Sequence, residues 1–198
     1  MKRLFLVFMA LAALAGCASN LPPAPRQAAT PDYKYLVGPG DTLNIVVWRN
    51  PELSATVPVR PDGKITAPLI EDMIAINKNP SELAREIEAK LKRYIQDPVV
   101  TVVVQNFVGP TSEQVRIVGQ ASRPQALAYR QNMTLLDVMI AVGGITDFAA
   151  GNRAVLIRSS EGNKQFGLRL RDLLKRGDVS ANIELKPGDV IMIPESWF

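Results

Sequence analysis

Residues 79–98 restrict the fold more than any other stretch, because they spell one amphipathic helix that runs straight into a β-branched segment. Asn79 can cap, Pro80 takes the first helical position, where its missing N–H costs nothing, and Glu82 stands three residues after the cap as in a capping box. Leu83, Ile87, Leu91 and then Tyr94 or Ile95 recur at helical spacing and form one apolar stripe. Glu86 precedes Lys90, and Glu88 precedes Lys92, by four residues, the favourable order for surface ion pairs, so that face reads as solvated. Asp97-Pro98 closes the helix, since a residue before proline is pushed out of the α region. Residues 99–104, rich in valine, then read as a buried strand. A helix with a single apolar stripe must lie on another element, and its neighbours read as strands, so the fold class is α+β.

The neighbouring strands carry their own turn signals. Gly38-Pro39-Gly40-Asp41 is a turn, because Pro39 presets φ and Gly40 accepts φ > 0, and Leu43, Ile45 and Val47 then alternate as a half-buried strand. Residues 56–60 and 65–67 flank Pro61-Asp62-Gly63-Lys64 and predict a hairpin. A second unit follows Gly109-Pro110. Residues 114–118 and 126–130 read as strands, Thr134 caps a helix with Asp137 three later, and Gly143-Gly144 stops it. Strands over 154–158 and 165–170, a helical turn over 172–176, and a last strand over 190–193 complete a ββαβ(β) order that suggests a ubiquitin-like β-grasp. Lys186-Pro187-Gly188-Asp189 launches that last strand much as Gly38-Pro39-Gly40-Asp41 launches the first, an echo for which good turn chemistry is a sufficient account.

The N-terminus sets the compartment. Lys2 and Arg3 precede an apolar run over residues 4–13, too short for a bilayer span of about 20 residues, and Leu14-Ala15-Gly16-Cys17 follows. This reads as a signal peptide over 1–16, cut between Gly16 and Cys17, and the junction matches the bacterial lipobox, whose cysteine becomes acylated. Several acyl chains at about 0.8 kcal/mol per buried CH₂ make a firm anchor. Ala18 in place of Asp resembles lipoproteins sorted to the outer membrane. Residues 17–31, with Pro22, Pro23, Pro25 and Pro31, read as an acylated cysteine and an extended tether.

Composition removes most chemistries. The chain has no histidine and one cysteine, so an imidazole base, a His-ligated zinc, a Cys-His pair and an internal disulfide are all excluded. The charge excess of +4 falls to +2 when Lys2 and Arg3 leave with the signal peptide, and no basic block marks nucleic acid as a partner. Gly143-Gly144 lies at a helix C-terminus, the wrong end for phosphate. Asp41, Asp62, Asp147 and Asp189 are the carboxylates a glycosidase-like mechanism would need, yet Asp41, Asp62 and Asp189 sit beside glycine in turns, where Asp serves backbone geometry. The reading is therefore a non-enzyme without cofactor or metal. Tyr94 reads as core, and Trp48 as packing at a strand end.

Several of these motifs agree with one family. Tyr35-Leu36-Val37-Gly38-Pro39-Gly40-Asp41-Thr42-Leu43, Val59-Arg60-Pro61-Asp62-Gly63-Lys64-Ile65, Pro68-Leu69-Ile70, the helix over 83–94 and Asp97-Pro98-Val99-Val100 resemble the periplasmic domain of bacterial outer-membrane polysaccharide export lipoproteins of the Wza type. Residues 115–126, Thr134-Leu135-Leu136-Asp137 and Ala141-Val142-Gly143-Gly144 resemble its companion, the soluble-ligand-binding β-grasp (SLBB) domain. The resemblance implies a polysaccharide export domain over 32–108 and one β-grasp domain over 109–198. The short form and the Pro194-Glu195-Ser196-Trp197-Phe198 ending resemble the subgroup associated with exosortase (PEP-CTERM) exopolysaccharide clusters. The likeness implies an outer-membrane, lipid-anchored protein on the periplasmic face. Copies would form a homo-oligomeric ring around the exported polysaccharide, dock an inner-membrane chain-length regulator, and use a separate β-barrel or the lipid anchors to meet the outer membrane. The alternative is a monomeric envelope lipoprotein that binds a soluble glycan through its β-grasp domain.

Overall fold

The computed structural model describes residues 21–27 and 33–196. The signal peptide, Gly16, Cys17, residues 17–20 and 28–31 of the tether, and Trp197 and Phe198 of the C-terminal ending lie outside the described residues. The chain order is β1 (Thr42–Val47), β2 (Ala55–Pro58), β3 (Lys64–Ala67), β4 (Ile70–Ile74), α1 (Pro80–Leu91) and β5 (Val100–Asn106) in a first unit. A second unit holds β6 (Gln114–Gly119), β7 (Ala126–Ala128), α2 (Leu135–Ala141), β8 (Ala154–Arg158), β9 (Lys164–Leu168), α3 (Leu170–Arg176) and β10 (Val190–Ile193).

In the first unit β1 is the centre of an antiparallel β2-β1-β5 sheet, and β3 and β4 form a separate hairpin. Leu43, Ile45 and Val47 point to one face, where Ile65, Ile70 and Met73 of the hairpin and Leu83, Ile87 and Leu91 of α1 close the core. The capping box forms: the Asn79 side chain accepts from Glu82 N–H at 2.9 Å and the Glu82 carboxylate reaches back to Asn79 N–H, a device worth about 1 kcal/mol.

Several local expectations are corrected. The strands flanking Pro61-Asp62-Gly63-Lys64 do not form a hairpin ladder together, because β2 pairs with β1 while β3 turns through Pro68 and Leu69 onto β4. The helix stops at Leu91, and a run of turns with Asp97 at φ 46° carries the chain to β5. That early stop rotates Tyr94 outward, 60% exposed, and Ile95 packs on the core instead. Residues 99–104 are buried on one face only: among the described residues β5 pairs with β1 alone, so Val100 and Val102 are covered while Val99 and Val103 face outward. Trp48 lies just past β1 and is 66% exposed, so it is not packing.

The second unit has the β-grasp sheet order β7-β6-β10-β8-β9, with β10 parallel to β6 and antiparallel to β8. Leu135, Val138 and Met139 of α2 pack on Val115, Ile117, Leu156 and Ile191. Gly143 and Gly144 end α2 in a Schellman arrangement: Gly144 N–H donates to Met139 C=O at 2.7 Å and Gly143 N–H to Ile140 C=O at 3.2 Å, both at positive φ.

The tether expectation also changes. Residues 21–27 lie along the second unit: Pro23 bridges Gly167 in parallel, Gly167 N–H donates to Pro22 C=O at 2.9 Å, and Glu184 N–H donates to Arg26 C=O at 3.0 Å. Prolines cannot donate, but their carbonyls can accept, and here the Pro22 carbonyl satisfies Gly167 N–H on the outer edge of β9. Downstream, Tyr33 packs edge-on against Tyr129, with ring centroids 4.9 Å apart.

Candidate functional site

Of the sequence-predicted residues, the two Pro-Gly-Asp turns meet at one place, the connection between the two units at 108–113. Asp41 is fully buried, and its carboxylate accepts four hydrogen bonds. Oδ2 takes the Tyr35 hydroxyl at 2.7 Å and Gly38 N–H at 2.9 Å; Oδ1 takes Val108 N–H at 2.7 Å and Gly109 N–H at 2.9 Å. The local half of this arrangement is turn chemistry, closed by Asp41 N–H donating to Gly38 C=O at 3.2 Å with Gly40 at φ 89°. The remote half ties the first unit to the connection. Gly38 is needed there, since a Cβ on it would stand 2.0 Å from the Gly109 carbonyl carbon. Tyr35 lies edge-on to Phe107, centroids 5.3 Å apart, and burial, then the Asp41 carboxylate, holds its phenol far above the ordinary tyrosine range.

The second turn repeats the pattern from the other side. Lys186 N–H donates to Asp189 Oδ2 at 2.8 Å, and Asp189 N–H donates to Lys186 C=O at 3.2 Å, with Gly188 at φ 79°. Its remote partner is Arg158, fully buried like Asp189, whose Nε and Nη2 donate to the two carboxylate oxygens at 3.4 Å each. Burial pushes the Asp189 carboxyl up from its ordinary value, against the opposing pull of Lys186 N–H and the Arg158 guanidinium. Pro187-Gly188 also reaches the connection: a Cβ on Gly188 would lie 2.5 Å from Ser112 C=O. Two Pro-Gly-Asp turns thus press on 109–112 from opposite units.

The remaining carboxylates stay apart. Asp62 accepts from Arg60 Nη2 at 2.7 Å and Lys64 N–H at 3.3 Å, beside Gly63 at φ 76°. Asp147 is exposed on a separate turn. Asp41 and Asp189 have every carboxylate oxygen engaged by fixed donors away from solvent, so their chemistry is positioning rather than proton transfer. Among the described residues no group of three or more Cys, Asp or Glu is placed to hold a metal ion, and no helix is long and apolar enough to cross a membrane.

Sequence reasoning missed Arg158 and the reach of Asp41. Arg158 had a signal: in β8 it shares the inward face with Ala154 and Leu156, where a cation must find a counter-charge. Nothing local announces that Asp41 bonds to residues 67 and 68 positions away.

Comparison with known proteins agrees with this two-unit organisation. Residues 29–105 match the family described as polysaccharide biosynthesis/export protein, and residues 113–193 match the SLBB domain. The EPS I polysaccharide export outer membrane protein EpsA of Ralstonia nicotianae is 30% identical over 84% of this chain and 48% of its own length. The capsule polysaccharide export protein BexD of Haemophilus influenzae is 25% identical over 81% of this chain and 44% of its own. The exopolysaccharide production protein ExoF of Rhizobium meliloti is 27% identical over 93% of this chain and 44% of its own. The chain spans about half the length of the curated relatives it matches. The α+β chain thus carries a polysaccharide export domain followed by an SLBB domain, and the relatives it is similar to are named polysaccharide export proteins.

Proposed function

We propose that this chain is a lipid-anchored component of an exopolysaccharide export translocon at the periplasmic face of the outer membrane. Copies close into a ring around the polymer, an inner-membrane chain-length regulator docks on it, and a separate barrel or the acyl chains join it to the outer membrane. The observation that carries the reading is the clamped connection. A heterologous contact closes into a ring only when every copy presents its two surfaces at the same angle. The buried Asp41 carboxylate supports that constancy by holding the start of the connection to the first unit through two backbone donors. The relatives' names supply the cargo class, and the lipobox ending at Cys17 supplies the anchor.

Deletion of the gene tests the transport role, with loss of surface polymer expected and normal export refuting it. The size of detergent-extracted protein tests the ring, where a monomer would leave the glycan-binding alternative standing. Cys17→Ser should abolish acylation and outer-membrane fractionation.

A further inference from the structure

We propose that the face of the SLBB domain carrying α3 lies against a phospholipid leaflet that contains anionic headgroups, held there by the short span between Cys17 and the docked strap at 21–27. The proposal rests on the acylation of Cys17 put forward under the proposed function.

The first observation is chain length. Residues 21–27 are fixed on β9 by the Pro22 and Pro23 contacts to Gly167 and beyond it by the Arg26 contact to Glu184. Cys17 precedes Leu21 by four residues, which reach at most about 14 Å when fully extended. Acyl chains on Cys17 therefore enter a bilayer within that distance of the β9 edge. A tether free over its whole length would leave the domain's orientation open, whereas one docked from Leu21 onward does not.

The second observation is charge. Residues 164–178 contain Lys164, Arg169, Arg171, Lys175 and Arg176 against the two acids Asp172 and Asp178. All five cations are exposed; Arg169 pairs with Asp178 at 2.9 Å and Arg176 with the buried Asp172 at 3.1 Å, while no ion pair engages Arg171 or Lys175 among the described residues. This local surplus is larger than the excess the whole chain keeps once Lys2 and Arg3 are removed from its +4. Arg171 and Lys175 stand one turn apart on the same side of α3. The strap borders a groove of about 920 Å³ lined by Leu21, Arg26, Arg153 and Arg169, the residue that precedes α3. Val179, 79% exposed on the turn after α3, adds an apolar tip beside the groove residues Ser180 and Ala181. A polybasic surface with an apolar tip, tied down by an adjacent acyl anchor, is the two-signal arrangement that holds a protein face on anionic lipid.

The test has two arms. Acylated protein, its lipid addition confirmed by intact mass, is placed in phosphatidylethanolamine vesicles containing phosphatidylglycerol. A fluorophore is carried at Val179→Cys or, as the control on the first domain, at Val103→Cys. Headgroup-quencher lipid should quench the label at 179 and spare the label at 103. In the second arm the mature chain, residues 17–198 with Cys17→Ser, is titrated with the same vesicles at low salt. Arg171→Glu with Lys175→Glu should weaken binding on the order of tenfold or more, and added salt should erase the difference. Both substitutions lie on an exposed helix face, so an unchanged thermal melt shows that folding is intact. Acylated protein with an unquenched label at 179, or charge reversal without effect on vesicle binding, overturns this proposal alone. An unmodified Cys17 overturns the anchoring reading and this one together. Retention of an acidic polysaccharide such as polygalacturonate by the Cys17→Ser chain, without vesicle binding, assigns the face to polymer and also overturns it.

Discussion

Asp41→Asn isolates what the clamp contributes, because it changes two atoms' chemistry and almost no volume. The carboxylate accepts from four donors, three of them backbone N–H groups of Gly38, Val108 and Gly109, and the fourth the Tyr35 hydroxyl. An amide offers one oxygen and one NH₂. With the oxygen turned toward Val108 and Gly109, the NH₂ meets Gly38 N–H, donor against donor; the Tyr35 hydroxyl can rotate and accept. One buried N–H is then orphaned, at roughly 1–3 kcal/mol, and the bonds that remain lose their charge assistance. The sum is about 3 kcal/mol. For a chain of this size each kcal/mol moves the midpoint by about 2–4 °C, so Tm should fall on the order of 10 °C. Differential scanning calorimetry reads this directly, and limited proteolysis should show faster cleavage across 105–112. Tyr35→Phe is the graded control: it removes one donor and leaves three, costing about 1 kcal/mol. An Asp41→Asn midpoint within about 3 °C of the parent, or a Tyr35→Phe loss as large as that of Asp41→Asn, refutes the account of Asp41 as a four-donor clamp.

Other perturbations probe the same contacts. Arg158→Met leaves the buried Asp189 carboxylate without its cation and should destabilise by about 3–5 kcal/mol; pairing it with Asp189→Asn should recover much of the loss in a double-mutant cycle. Burial raises the Asp189 carboxyl, so the folded protein holds that proton more tightly than the unfolded chain, and its linked stabilisation is full below the ordinary carboxylate value and lost as pH rises through the raised one. The stability gap between parent and Asp189→Asn should therefore widen as pH falls from about 7 to about 4, and a narrowing gap in urea titrations would contradict the sign. Gly188→Ala, with Ser112 C=O 2.5 Å from the new Cβ and φ 79°, should displace the connection and change the scattering profile in solution. Trp48→Ala, at a side chain 66% exposed, should change thermal stability by no more than about 0.5 kcal/mol.

What was legible in the sequence was whatever a few neighbouring residues decide among themselves. Asn79 with Glu82 and Thr134 with Asp137 form their capping boxes, and Gly143-Gly144 stops its helix, because caps and stops draw on residues within one turn. Strand partnership is decided elsewhere. The Asp62-Gly63 turn forms, but β3 joins β4 through Pro68 and Leu69, and Leu69 adopts φ 62° without the glycine or asparagine that usually announces such a turn. The valine-rich run over 99–104 reads as buried by composition; its place at the edge beside β1 exposes alternate residues. Proline-rich 21–27 is extended, as composition requires, and its docking depends on carbonyls that no hydropathy pattern records.

The paired turns show how a bland local signal conceals a global one. Pro-Gly-Asp chemistry accounts for the i−3 bonds of Asp41 and Asp189 and for Gly40 and Gly188 at positive φ. It leaves each carboxylate with further acceptor capacity inside a core, and a buried acceptor must be filled. Asp41 fills it with the backbone of the connection, and Asp189 with the guanidinium of Arg158. Each turn launches the strand at the middle of its sheet, β1 between β2 and β5, β10 between β6 and β8. The two central strands are therefore referenced, through Gly38 on Gly109 and Gly188 on Ser112, to the same four residues of chain. Between those two anchors only Pro110 and Thr111 remain, and they are spanned by Glu113 N–H donating to Pro110 C=O at 2.9 Å and Gln114 Nε2 donating to Val108 C=O at 3.2 Å. The connection between the two units is thus short and hydrogen-bonded along its length, which restricts rotation of one unit against the other.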